Sequence, residues 1–162
     1  MTIKEFKIQL ALGMISYSDK KKIVNTTTSK KILTYLSGDE SWLTRGRVVS
    51  NKNTPIKVLV ALSKDGNSWV RSCIAMNKNT PIKVLVKLSK DKNYWVRSRI
   101  AMNKNTPIKV LVKLSKDKDR AVKRYVAENT NTPEKILIEL SKDRDPRVRR
   151  SVMKLLKLKK KL

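Results

Sequence analysis

The chain has 162 residues, 40% hydrophobic and 32% charged, enough for one domain with a core and too apolar for a disordered tail. Lys and Arg number 39 against 13 Asp and Glu, a formal net charge of +26 with no His; such a field repels itself and draws polyanions, namely DNA, RNA, anionic lipid or an acidic protein. A single cysteine, Cys73, excludes an internal disulfide framework and a cysteine-based zinc or iron–sulfur site, and the lack of His removes the commonest general base and metal ligand, so no cofactor and no metal is expected.

Residues 1–26 read as an N-terminal capping helix. Their apolar stretch, Ile8 to Ile15, is short, follows mixed charges and lacks a clear cleavage site, which argues against a signal peptide. No run is long enough to cross a bilayer, and a cytoplasmic location is the expectation.

From residue 27 to 152 the chain repeats itself every 26 residues, in five tandem copies: 27–52, 53–78, 79–104, 105–130 and 131–156, the last merging into a basic C-terminal tail, 153–162. With Asn53 as position 1, Asn53-Thr54-Pro55 recurs as Asn79-Thr80-Pro81, Asn105-Thr106-Pro107 and Asn131-Thr132-Pro133. Positions 7 and 10 are always Leu, as in Leu59 and Leu62; position 13 is always Asp, and position 19 is Arg45, Arg71, Arg97, Lys123 or Arg149. Each copy holds two helix starts. Thr54-Pro55 and its equivalents supply a capping hydroxyl and then a proline at the first helical position. Position 15 reads Ser41, Asn67, Asn93, Asp119 and Asp145, all good N-caps. The first helix is predicted over positions 3–12 and the second over 16–24. Asn77, Asn103 and Asn129 follow the second helix, where a left-handed residue often ends one. No segment alternates with period two, so no sheet is expected. One copy cannot bury enough apolar surface to offset ordering its own backbone, so copies must stack, with helical caps at the ends; the tail through Lys159-Lys160-Lys161-Leu162 is the C-terminal candidate.

The pattern Asn-Thr-Pro-x-x-x-Leu-x-x-Leu-x-x-Asp, then Val-Arg-x-x-x-Ala-x-Asn, carried by Asn79 to Asp91 and then Val96, Arg97, Ala101 and Asn103, resembles the leucine-rich repeat variant family, a HEAT-like α-solenoid. The resemblance implies an all-α, right-handed superhelix in which α-helices alternate with shorter, partly 3₁₀, helices. One branch of that family carries an iron–sulfur cluster, for which this chain lacks the cysteines. Related HEAT-like folds include DNA alkylation-repair glycosylases, but no motif here transfers a catalytic role.

Angular sorting at ~100° per residue assigns faces. On the first helix, positions 4, 6, 7, 8, 10 and 11 form a wide, mostly apolar arc, and positions 5, 9 and 12 form a lysine ladder such as Lys83, Lys87 and Lys90. The ladder is either a solvated face or a second surface for a polyanion. On the second helix, position 19 falls inside the apolar arc of positions 18, 22 and 23. That placement favours structural ion pairs among Asp65, Arg71, Asp91, Arg97, Asp117, Lys123, Asp143 and Arg149, or bonds to loop carbonyls, over phosphate contact.

The opposite arc of the second helix holds Trp69, Trp95, Arg99, Arg120, Arg124, Tyr125, Arg147 and Arg150. In HEAT-like arrays the second helix lines the concave side, so these residues are the candidate nucleic-acid site: cations for phosphates, rings for bases or sugars. The alternative is that Trp69 and Trp95 stack across repeats as core. The leading expectation is a non-enzymatic, monomeric nucleic-acid-binding module, DNA before RNA. Behind it stand a scaffold for an acidic protein and a HEAT-like DNA-repair glycosylase. Weak contact between the basic tail and an anionic membrane is a further expectation.

Overall fold

The computed structural model describes residues 1–159, the side chain of Lys159 excepted; Lys160, Lys161 and Leu162 of the predicted basic tail lie outside the described residues. Among the described residues there are twelve helices and no strand. They run α1 (Ile3–Ala11), α2 (Tyr17–Thr26), α3 (Lys30–Leu36), α4 (Trp42–Ser50), α5 (Ile56–Leu62), α6 (Ser68–Met76), α7 (Ile82–Leu88), α8 (Tyr94–Met102), α9 (Ile108–Leu114), α10 (Arg120–Glu128), α11 (Glu134–Leu140) and α12 (Pro146–Lys159). The chain divides into two compact units, Met1–Thr80 and the part that begins at Pro81. Each unit is an all-α array of two-helix repeats. In the first, α2, α4 and α6 stack side by side; in the second, α8, α10 and α12 do, with the shorter odd-numbered helices against them.

The second helix of each repeat, α6 for example, fills positions 16–24 as the cap chemistry predicts. Asn67, Asn93 and Asp119 each accept a hydrogen bond from the backbone N–H two residues on, at 2.8 Å, and Asp145 does so from Arg147. Ser41 makes no such bond. These second helices are regular α over nine residues. The first helices are the shorter ones, with seven, the reverse of what the family resemblance implies for the second helix.

Three further expectations are corrected. The N-terminal cap is two helices, not one: Thr2 with Glu5 and Ser16 with Asp19 each form a capping box, and Gly13 takes φ +68 in the turn between. Thr54 does not cap the first helix. Its hydroxyl donates back to the Val48 carbonyl at the end of the preceding helix, as Thr80 does to Ile74 (2.7 Å), Thr106 to Ile100 (2.6 Å) and Thr132 to Val126 (2.5 Å). The residue before the first turn is then the proline itself, which has no N–H in need of an acceptor. The asparagine after the second helix is extended rather than left-handed, at φ −70 and ψ 130 for Asn77. Its amide is used across repeats. Asn51 Nδ2 donates to the Val24 and Thr27 carbonyls at 2.6 and 3.0 Å, Asn77 Nδ2 to Val49 at 2.5 Å, and Asn129 Nδ2 to Ala101 and Asn103 at 2.6 and 3.2 Å. The Asn129 carbonyl oxygen accepts the Asn131 N–H at 2.9 Å. This buried ladder satisfies the last carbonyls of one helix from the end of the next. Asn129→Ala is therefore expected to cost about 2–3 kcal/mol in urea unfolding, because it strips partners from buried carbonyls.

The core is built from positions 6, 7 and 10 of the first helix and 18, 22 and 23 of the second, for example Val84, Leu85, Leu88, Val96, Ile100 and Ala101. Positions 4 and 8, expected inside the arc, are not: Ile82 and Ile108 are 59% and 55% exposed, and Val86 41%. A seven-residue helix presents barely two turns, and those turns bury positions 6, 7 and 10, with the position-11 serines Ser63 and Ser115 buried beside them.

Position 19 carries an ion-pair ladder between adjacent repeats. Arg45 Nε and Nη2 bond to Asp65 at 2.6 and 3.0 Å, Arg97 Nε and Nη2 to Asp117 at 2.7 and 2.9 Å, and Lys123 Nζ to Asp143 at 2.5 Å. The remaining guanidinium nitrogen goes to loop carbonyls of its own repeat: Arg71 to Asp65 and Gly66, Arg97 to Asp91 and Lys92, Arg149 to Asp143 and Arg144. Each position-13 carboxylate also accepts the N–H of position 15, as Asp91 does from Asn93 at 2.9 Å. So two alternatives that the sequence leaves open, carboxylate or carbonyl, are both used. Burial alone would raise the carboxyls of Asp65, Asp117 and Asp143. The hydrogen bonds from Arg45, Arg97 and Lys123, with the backbone N–H bonds and the partners' charge, hold them below the usual range instead.

Candidate nucleic-acid interface

The exposed arc of the second helices is occupied differently in the two units. In the first unit Trp69 meets Trp42 edge to face, with centroids 5.0 Å apart and planes at 74°. Its indole lies on the backbone of Gly46, where a Cβ would come within 1.8 Å of Trp69 Cζ3. Position 17 of one repeat thus packs on position 20 of the repeat before it. Trp69 keeps 38% of its surface exposed, yet one edge and one face of the ring are engaged in packing.

In the second unit the same slot has other occupants. The fourth copy has Ala121 at position 17, where the second and third have Trp69 and Trp95. Beside Ala121 lies a cleft of about 260 Å³, lined by Tyr94, Asp119, Arg120, Ala121, Arg124 and Arg147. Arginine stands at position 20 of the fourth copy (Arg124) and position 17 of the fifth (Arg147), so guanidinium groups border the place where ring and small residue meet elsewhere. The structure therefore brings together Arg120, Arg124 and Arg147 of the predicted set. Arg120 and Arg147 are largely exposed, with side chains 63% and 53% accessible.

Three carboxylates stand close to the cluster. Asp145 receives Arg147 Nε and Nη2 at 3.2 Å each and lies 3.7 Å from Arg120 Nε. The Arg147 side-chain and backbone hydrogen bonds, with the Arg120 charge, hold the Asp145 carboxyl below its usual range. Asp119 is committed to capping α10. Arg124 lies over the Tyr125 ring at 4.4 Å, with Nε 3.7 Å from Glu128 Oε1. That nitrogen is buried and has no hydrogen bond.

The remaining predicted residues sit apart from this cleft. Arg99 stacks over Trp95 at 4.5 Å, with Tyr94 edge-on to Trp95 at 6.5 Å. Trp95 is 37% exposed. Tyr125 is half-buried beneath Arg124, and Arg150 is exposed on α12 without lining the cleft. Tyr94, on the wall of the cleft, is outside the predicted set, and the sequence marks Asp119 and Asp145 as caps alone. The signal for the cleft was present in the alanine at position 17. It becomes readable once Trp69 is seen lying on Gly46.

Among the described residues no group of three or more His, Cys, Asp or Glu could hold a metal ion. None of their helices is long and apolar enough to cross a membrane.

No family model and no curated protein matches the sequence. Among solved structures the chain is similar to "a leucine-rich repeat variant with a novel repetitive protein structural motif", at 23% identity and a TM-score of 0.42 over 84% of this chain. The match spans 61% of that protein's length.

Proposed function

We propose that this protein binds nucleic acid, DNA in the first place, without catalysing a reaction on it, and that Arg120, Arg124 and Arg147 hold backbone phosphates. The observation that carries the reading is the cleft in which these three guanidinium groups converge on a chain of net charge +26. Arginine forks match phosphate oxygens in pairs, and an open cleft lets a continuous strand pass through. Tyr94 on the wall offers a ring beside the phosphates. The aromatic share of recognition is smaller than the sequence suggests, since Trp69 packs on Trp42 and Gly46 and Arg99 covers a face of Trp95.

Binding without catalysis is supported by the engagement of the carboxylates nearest the cleft, Glu128 among them, which accepts the Ser151 hydroxyl and pairs with Arg124. Asp145 is charge-paired with a depressed pKa, which makes it a poor proton acceptor near neutral pH, and Asp119 caps a helix. Mobility-shift titrations with labelled duplex DNA, single-stranded DNA and an RNA hairpin at low salt test the reading. Duplex binding with weak sequence preference is the expected result; failure of all three to bind ends it.

A further inference from the structure

We infer that the first helices of this protein present a separate surface that docks on an anionic lipid bilayer, with isoleucines entering the headgroup region and lysines meeting the lipid charge. The observation is the presence of exposed aliphatic side chains close to lysine on three of the first helices. Ile82 on α7 and Ile108 on α9 occupy position 4, and Ile138 on α11, 52% exposed, occupies position 8. Lysine follows directly at position 5 in α7 and α9, as Lys83 and Lys109; on α11 Lys135 at position 5 stands three residues before Ile138. Positions 4 and 8 are neighbours on one helix face, and because α8, α10 and α12 stack side by side with the odd helices against them, the 26-residue repeat brings that face round in each copy to form a row. The first unit repeats the chemistry by itself: Ile56, 58% exposed, shares an open cleft of about 570 Å³ with Lys30, Lys52 and Lys57.

Charge chooses the occupant. A second copy of this chain brings its own +26 and is repelled. A folded acidic protein is best recognised by rigid arginine forks, which this chain places on its second helices. The row on the first helices has none of these. Position 4 of α7 and α9 and position 8 of α11 hold aliphatic groups with no hydrogen-bonding atom, and the lysines are flexible point charges with apolar stems. A fluid surface that supplies negative charge and accepts shallow aliphatic insertion asks for no more than that. Attachment would be peripheral, since no described helix can cross. Glu134 at position 4 and Glu139 at position 9 of α11 weaken the row at its end, so α7 and α9 carry most of the contact.

The test is co-sedimentation of the full chain with phosphatidylcholine vesicles, with and without phosphatidylserine. The variant I82Q/I108Q/I138Q changes no charge, and its positions are exposed, so circular dichroism should match the parent. The parent is expected to bind the phosphatidylserine vesicles and the variant to bind at least about tenfold more weakly, with duplex DNA affinity unchanged. K83Q/K109Q should lose roughly fivefold per lysine. The inference is overturned if the isoleucine variant binds like the parent, which would mean charge alone, or if vesicles without phosphatidylserine bind equally. It is also overturned if neither vesicle binds while a helical acidic amphipathic peptide is captured by the parent and lost in the variant, which would assign the face to a protein partner.

Discussion

Replacing Arg97 by methionine is expected to destabilise the protein by about 3–5 kcal/mol, the cost of leaving a buried charge without its partner. Arg97 is 7% exposed, binds both Asp117 carboxylate oxygens, and also donates to the Asp91 and Lys92 carbonyls. Methionine keeps the aliphatic volume, so the loss is electrostatic and not a cavity. Arg150→Met on the exposed face should stay within about 0.5 kcal/mol. Urea unfolding of the three proteins, followed by circular dichroism, reads the difference. Arg97→Lys should fall between, since an ammonium reaches the carboxylate but lacks the fork; Lys123 is the natural instance, with one bond to Asp143. The pair also carries a pH signature. The Asp117 carboxyl is held below its usual value in the folded protein. Its contribution is fully present above the unfolded carboxyl's range near pH 4 and is lost as pH falls through the lower folded value. The parent should therefore lose stability steeply on the acid side, and Arg97→Met should show a shallower acid limb.

The second large effect is on binding. R120A/R124A/R147A is expected to weaken duplex DNA affinity by at least about tenfold near physiological salt, since each guanidinium that neutralises a phosphate releases a counterion. The control K83Q/K109Q/K135Q removes the same charge from the first helices and should cost far less. Equal losses in the two variants, in parallel mobility-shift titrations, would mean that DNA responds to net charge and not to the cleft. Arg120 and Arg147 are exposed, so the arginine variant should keep its fold; Arg124 leaves the face of Tyr125, a loss of about 1 kcal/mol.

Much of the scaffold was readable from the repeat. Asn67 and Asp119 mark the start of a second helix because an oxygen there can satisfy an orphan N–H. Leu59 and Leu62 recur because one face must be buried. The angle between positions 18 and 19 is enough to put Arg97 in the interior, and a buried guanidinium needs a carboxylate. What was not readable depends on partners a whole repeat away. Asn129 has the residue type of a left-handed cap, and its use as a donor to the Ala101 carbonyl follows only from how far the next helix pair is displaced. Thr106 likewise reads as a cap, but the helix starts one residue later, with Pro107 at the cap position, and the Thr106 hydroxyl donates back to Ile100. Ile82 and Val86 sit on an apolar arc by angle, yet a helix of seven residues meets only one neighbouring face. Of the arginine and aromatic residues on the second helices, Trp69 fills the inter-repeat slot at Gly46, while Arg120, Arg124 and Arg147 line the cleft beside Ala121.

The most direct test of the central claim, that the cleft of Arg120, Arg124 and Arg147 holds DNA phosphates, is the salt dependence of duplex binding by the parent and R120A/R124A/R147A. Plotted as log affinity against log salt, each phosphate contact contributes about −0.9 to the slope. The parent should be the steeper by about two to three such contacts, with the two lines converging at high salt. Parallel lines of equal slope would contradict the claim and place the phosphate contacts elsewhere on the protein.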